Sequence, residues 1–165
     1  MGFGIKRLSI ALLALMCGTA TPDVALALAD ELVGAAVVLD DASLRIRNTI
    51  VRLHGIYIPA TGKTCTFSLR PVHCADRAAV ALETRIQGFV NCSAVSGNED
   101  GSVNAVCFIR RKFYHPGEDL AAYLLARGLA LALPGAPFEY FALERIAQTR
   151  QLGLWGFQVD SIVPR

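Results

Sequence analysis

Residues 32–53 read Leu32-Val33-Gly34-Ala35-Ala36-Val37-Val38-Leu39-Asp40-Asp41-Ala42-Ser43-Leu44-Arg45-Ile46-Arg47-Asn48-Thr49-Ile50-Val51-Arg52-Leu53. Aliphatic side chains dominate, and two polar breaks, Asp40-Asp41 and Arg47-Asn48, cut the run into three. This pattern predicts three short strands over 32–39, 43–47 and 49–53, joined by tight turns. In the second, Leu44 and Ile46 alternate with Ser43, Arg45 and Arg47, the period of a half-buried strand. By the same alternation Arg52 faces away from Val51 and Leu53, so its guanidinium lies on the outer side of the sheet.

Working outward, residues 54–74 contain Gly55, Pro59, Gly62 and Pro71 and read as one long loop, a length that is usually functional or pinned. A helix is predicted over Ala75 to Gln87, with Ala79, Leu82 and Ile86 on one face and Gly88 as its stop. Two more strands follow, Phe89–Val95 and Val103–Arg110, around the turn from Gly97 to Gly101. The C-terminal part reads as two helices, Asp119–Ala130 and Glu139–Gln151, with Glu118 and Asp119 at the positive start of the first. Five short strands with helices after the third and fifth suit a small closed barrel such as an OB-fold, carrying three helices.

The chain has 165 residues, 53% apolar and 18% charged, which fits one domain and excludes a disordered chain. Met1 to Arg7 ends in Lys6-Arg7, and the uncharged run Leu8 to Ala20 is shorter than the roughly 20 residues a membrane span needs. Pro22 and then Ala27-Leu28-Ala29 precede Asp30-Glu31, so residues 1–29 read as a secretory signal cleaved after Ala29. On this reading Cys17 leaves with the peptide, residues 30–165 form the mature domain, and the protein is periplasmic or secreted with no membrane span. That domain holds 14 basic and 13 acidic residues, a balance that excludes a strong polyanion binder. Arg110-Arg111-Lys112 is its one basic cluster and reads as a solvated strand end.

The mature chain keeps Cys65, Cys74, Cys92 and Cys107, an even number, as expected of disulfides in an oxidising compartment. Three pairings are possible. Local arrangement favours Cys65 with Cys74 across the loop and Cys92 with Cys107 across two adjacent strands. A zinc site of these thiols with His73 is the competing reading, and the absence of any C-x-x-C spacing weighs against it.

Several stretches together resemble the staphylococcal-nuclease-like (thermonuclease) family over about residues 32–165. Val38-Leu39-Asp40-Asp41-Ala42-Ser43-Leu44 is similar to that family's V-x-D-G-D-T-L turn. Val51-Arg52-Leu53 and Gly55-Ile56-Tyr57-Ile58-Pro59-Ala60 are similar to V-R-L and G-I-D-A-P-E. Ala105-Val106-Cys107 resembles its A-x-C strand, Asp119-Leu120 with Arg127-Gly128-Leu129-Ala130 its D-L-x(6)-R-G-L-A, and Glu144, Ala147, Arg150 and Gly153-Leu154-Trp155 its closing segment. The resemblance implies an OB barrel with three helices. It also implies a phosphodiesterase site built from calcium-binding carboxylates, a glutamate base and two arginines. Calcium needs several oxygen ligands, and fixed cations stabilise the charge that develops on the phosphate. Position by position, however, the metal-binding second Asp of the D-G-D-T turn falls on Ala42, the Asp of G-I-D-A-P-E on Tyr57, its Glu on Ala60 and one phosphate-binding arginine on Ser102. Only Arg52 and the non-ligating Asp40 remain.

The expectation is therefore a nuclease-like domain with no catalytic residue, metal or cofactor, whose groove residues are Arg52, Asp40 and Tyr57. Arg52 either contacts an anionic ligand or pairs with Asp40 or Asp41 across the hairpin. Tyr57 either stacks on a sugar or base or fills the space of the absent ion. Ser43, His54 and Asp40 lack the strained elbow of a hydrolytic serine. His54, His73 and His115 read as solvated loop residues, and Trp155 as a core plug. Within the family the layout is most similar to a small exported member linked to exopolysaccharide (succinoglycan) biosynthesis in rhizobia. This implies an accessory or binding role, with a polysaccharide or a protein of its biosynthetic machinery as partner and weak nucleic-acid binding left open. A weak calcium-dependent nuclease and a structural protein-interaction module are the alternatives.

Overall fold

Strands β1 (Glu31–Val38), β2 (Leu44–Ile46) and β3 (Thr49–Leu53) form an antiparallel meander, the three strands expected of the opening stretch. The computed structural model describes residues 31–59, 64–67 and 70–156, with 64–67 and 70–75 described as backbone only. The signal-peptide reading of residues 1–29 lies outside the described residues. After β3 come β4 (Ile56–Tyr57), β5 (Thr64–Phe67), β6 (Arg70–His73) and helix α1 (Cys74–Arg85). Then follow β7 (Phe89–Gly97), β8 (Val103–Ile109), β9 (Glu118–Asp119), α2 (Leu120–Ala126), β10 (Leu131–Ala132) and α3 (Phe138–Thr149), with a 3-10 turn at Gly153–Gly156.

β1 pairs with β2 on one side and β7 on the other, β7 pairs with β8, and β8 returns to β3 in parallel through Val51↔Val103, Arg52↔Asn104 and Leu53↔Ala105. This last pairing closes β1-β2-β3-β8-β7 into a five-stranded barrel that carries three helices. Closure removes the free edges that an open sheet of this size would present. Alternation along each strand fills the interior with Leu44, Ile46, Val51, Val90, Cys92, Ala105, Cys107 and Ile109. Leu82 of α1 and Leu120, Leu124 and Leu125 of α2 belong to the same buried cluster. Cys92 and Cys107 face each other in the β7–β8 register and form a disulfide inside the barrel, as the strand reading favoured. The side chains of Cys65 and Cys74, and hence their pairing, lie outside the described residues.

The segment read as one loop, 54–74, instead contains β4 and the β5–β6 hairpin. Turn-forming Gly and Pro residues hid these short strands, one of which exists only because β10 pairs with it through Leu131↔Tyr57 and Ala132↔Ile56. α2 also stops earlier than expected, at Ala126. The reason is a Schellman cap: Gly128 N–H donates to Leu125 O and Leu129 N–H to Leu124 O, with Gly128 at φ +66°. At its other end Asp119 accepts from Ala121 N–H at 2.8 Å, and its second carboxylate oxygen accepts the Tyr140 hydroxyl of α3 at 2.6 Å. Burial, and then this carboxylate, push the Tyr140 phenol far above its ordinary pKa, so it remains a donor.

Two motif fragments that are distant in sequence meet at this cap. Gly153 packs against the Gly128 backbone, and Leu154 N–H donates to Gly128 O at 2.8 Å. A Cβ on Gly128 would run into the Leu152 carbonyl, so glycine is required there both by φ and by space. Gly128→Ala is expected to destabilise the protein by more than about 1 kcal/mol in urea unfolding. Gly97→Ala, where an added Cβ meets nothing within 4 Å and φ is not positive, is expected to leave the midpoint nearly unchanged.

Candidate ligand groove around Arg52

Arg52 is the penultimate residue of β3, with its side chain on the outer face of the barrel, as the alternation required. A cavity of about 450 Å³ opens on one side of it, lined by Asp41, Ala42, Ser43, Leu53, Ile56, Tyr57, Ile58 and Pro59. A second, of about 300 Å³, opens on the other, where His54, Ser96, Asn104 and the Leu133–Ala136 turn contribute. Arg52, Leu53 and Ile56 line both, so the two cavities share these residues as a common border, and together they make up the trough around Arg52.

The β1–β2 turn supplies the first wall. Asp41 Oδ1 accepts the Ser43 amide at 3.0 Å and its hydroxyl at 2.6 Å, which fixes the turn and buries Ser43. Ala42 between them takes φ +61°, and its methyl is buried. The β7–β8 turn repeats this device. Asp100 Oδ1 accepts the Ser102 amide at 3.0 Å and its hydroxyl at 2.6 Å around Gly101 at φ +78°. The free oxygen of Asp100 accepts from the Arg52 guanidinium at 2.8 Å. Arg52 is thus paired with Asp100, and not with Asp40 or Asp41 as the hairpin reading offered. Those two carboxylates sit on a turn that β2 separates from β3, whereas the parallel β3–β8 pairing brings the Asp100 turn alongside.

A polar strip continues from this pair. Asn98 Nδ2 donates to Ser102 Oγ at 2.9 Å, and Asn104 Nδ2 donates to Asn98 Oδ1 at 2.9 Å and to Ser96 Oγ at 3.1 Å. Asn104 is the register neighbour of Arg52, and of this strip Asn104 and Ser96 line the second cavity, so a cation, an amide and a hydroxyl border it together, while Ser102 is buried beneath the turn. The sequence reading missed this strip, apart from naming Ser102. Its one visible signal was the Asp-x-Ser spacing that recurs at 41–43 and 100–102.

Tyr57 lines the first cavity, half-buried and packed on the cluster of Leu131 and Leu154. Trp155 is only partly buried, packed on Leu131 and Leu154, and its indole nitrogen has no partner among the described residues. Asp40 is exposed and does not line either cavity, so the trough unites Arg52 and Tyr57 without it. Ala60 lies outside the described residues. His54 borders the second cavity, His115 is exposed on a distant hairpin, and the His73 side chain lies outside the described residues.

Calcium takes six to eight oxygens, several of them carboxylate. Among the described residues Asp41 is the one carboxylate lining the first cavity, and one of its oxygens already accepts two bonds from Ser43. Among the described residues no three His, Cys, Asp or Glu side chains converge as a metal cluster. These residues do not fit a calcium ion. What the trough can do is grip a polar or acidic ligand: the Arg52–Asp100 pair is half-exposed, at 48% and 51%, and such pairs are weak enough to yield to a competing anion. Comparison with models of known protein families and with characterised proteins finds no match.

The Ser102 hydroxyl and amide, and then Arg52, hold the Asp100 carboxyl down at about 2. A depressed folded-state pKa stabilises above the unfolded value of about 3.9 and is lost as pH falls through the folded value. Thermal unfolding followed from pH 5 to pH 1.5 is therefore expected to show a loss of stability between about pH 4 and pH 2, to which Asp100 contributes. In Asp100→Asn this part of the acid limb flattens.

Proposed function

We propose that this chain is an exported, non-catalytic domain of the staphylococcal-nuclease-like type that binds a polysaccharide in the trough around Arg52, as an accessory protein of exopolysaccharide (succinoglycan) biosynthesis. The ring order β1-β2-β3-β8-β7 suits an OB-type barrel, an architecture whose outer strand face commonly binds oligosaccharides and oligonucleotides. The buried Cys92–Cys107 disulfide suits an oxidising compartment, and among the described residues no helix is long and apolar enough to cross a membrane.

The observation that carries the binding role is the composition of the trough. Where a calcium-dependent nuclease of this kind needs acidic oxygens, the first cavity is lined by Ala42, whose methyl is buried, and by the half-buried Tyr57 ring. A tyrosine face stacks on sugar rings, and hydroxyl and amide groups such as those of Ser96 and Asn104 exchange hydrogen bonds with sugar hydroxyls. Arg52 then meets an acidic substituent of the polymer, displacing Asp100.

Affinity electrophoresis in gels cast with succinoglycan tests this reading. Retardation of the native protein is expected, with a roughly tenfold weaker effect in Arg52→Ala and Tyr57→Ala, about the value of one lost charge-assisted or stacking contact. Equal retardation of the variants refutes the assignment of the groove. Calcium-dependent cleavage of single-stranded DNA or RNA that a chelator abolishes refutes the non-catalytic reading.

A further inference from the structure

Beyond β8 the chain leaves the barrel as a narrow hairpin whose residues play no part in the trough. Arg110, directly after β8, takes φ +56°. Lys112 N–H donates to His115 O at 2.9 Å and His115 N–H returns to Lys112 O at 3.0 Å, which makes Phe113-Tyr114 a two-residue tip. The neck is held on both sides: Gly117 N–H donates to His115 Nδ1 at 2.9 Å, and a Cβ on Gly117 would lie 2.6 Å from Ile109 O.

Two-residue hairpin tips ordinarily carry Asn, Asp or Gly. Here they carry two aromatic rings, and neither ring folds back onto the protein: Phe113 is fully exposed and Tyr114 is 82% exposed. The turn does not demand these residues, and water opposes exposing them. Around the tip stand Arg110, Arg111 and Lys112, all exposed and with no acidic residue in the hairpin. Arg111 bonds to Glu31 at 3.2 Å and lies over the Phe108 ring, while Arg110 and Lys112 pair with no acid among the described residues.

We propose that the Arg110–His115 hairpin is a docking tip for an anionic phospholipid surface. Aromatic side chains favour the interface between headgroups and acyl chains, and cations beside them meet anionic headgroups. Single-stranded nucleic acid also attracts aromatic and basic residues, but its binding sites combine stacking rings with a charged groove that tracks the backbone. This tip is convex, with its two rings at the summit and its cations below them, the order of groups met on entering a bilayer. Because the hairpin is braced by its own backbone bonds, docking orders little that is not ordered already.

The test compares the full chain with Phe113→Ser/Tyr114→Ser and with Phe113→Trp in the same form. Vesicles of phosphatidylcholine with and without 30% phosphatidylglycerol are used, at low and high salt. Expected are cosedimentation with the anionic vesicles that weakens at 0.5 M salt, as a screened attraction must, and about tenfold weaker binding of the double variant. In Phe113→Trp, a blue shift of the emission on adding anionic vesicles, beyond that of Trp155 in the native chain, is expected as the tip enters the interface. Because Phe113→Trp reports the tip itself, attachment through any other segment is distinguished from docking here. Binding without a shift at position 113, binding unaffected by Phe113→Ser/Tyr114→Ser, no binding to anionic vesicles, or a tip shift elicited by single-stranded DNA but not by lipid would each overturn the proposal.

Discussion

The parallel contact between β3 and β8 is the constraint on which the rest of this molecule depends. An antiparallel neighbour can be reached by a short turn, but a parallel one requires a long return, and here the chain uses α1 and β7 to make it. Once closed, the ring has one interior for its alternating apolar residues, and the Cys92–Cys107 bond lies inside it. Closure also decides the outer face. It sets Arg52 beside Asn104 and brings the β7–β8 turn, with Asp100, to the guanidinium.

The second wall of the trough is set from further away. Tyr57 is held in β4 by β10, and β10 leaves α2 through the Schellman cap at Gly128. Gly128 is in turn packed against Gly153 of the 3-10 turn that follows α3, while Tyr140 of α3 clamps the Asp119 carboxylate that caps α2. Thus the glycine-containing fragments at 127–130 and 153–155 have a packing reason that is independent of any ligand. Their effect on the site is indirect: they place the strand that places Tyr57.

Apolar runs, polar breaks and alternation were sufficient to read the five barrel strands and the face of Arg52, because a period of two assigns every side chain of a strand to one side. The Cys92–Cys107 pairing was only favoured by local arrangement among three, and the β7–β8 register is what sets those two residues opposite each other. The ends of helices were less legible. Asp119–Ala130 reads as continuous helix by its apolar spacing, and only the positive φ of Gly128 and its two cap bonds end it at Ala126. β4 was invisible for a different reason: a two-residue strand has no period, and exists because a partner strand arrives beside it.

For the site, local sequence determined which groups are present: a lone arginine on β3, an alanine and a tyrosine where the resemblance implies carboxylates, and a basic cluster followed by two aromatics after β8. Tertiary structure decided which of these meet. Arg52 and Asp100 are separated by 48 positions, and no rule of spacing joins a residue of β3 to one on the β7–β8 turn. Their contact follows from the register of a closed ring, in which moving one strand by a single residue would turn every side chain to the opposite face. Which residues point outward is a local property of the chain; which outward residues become neighbours is a property of closure.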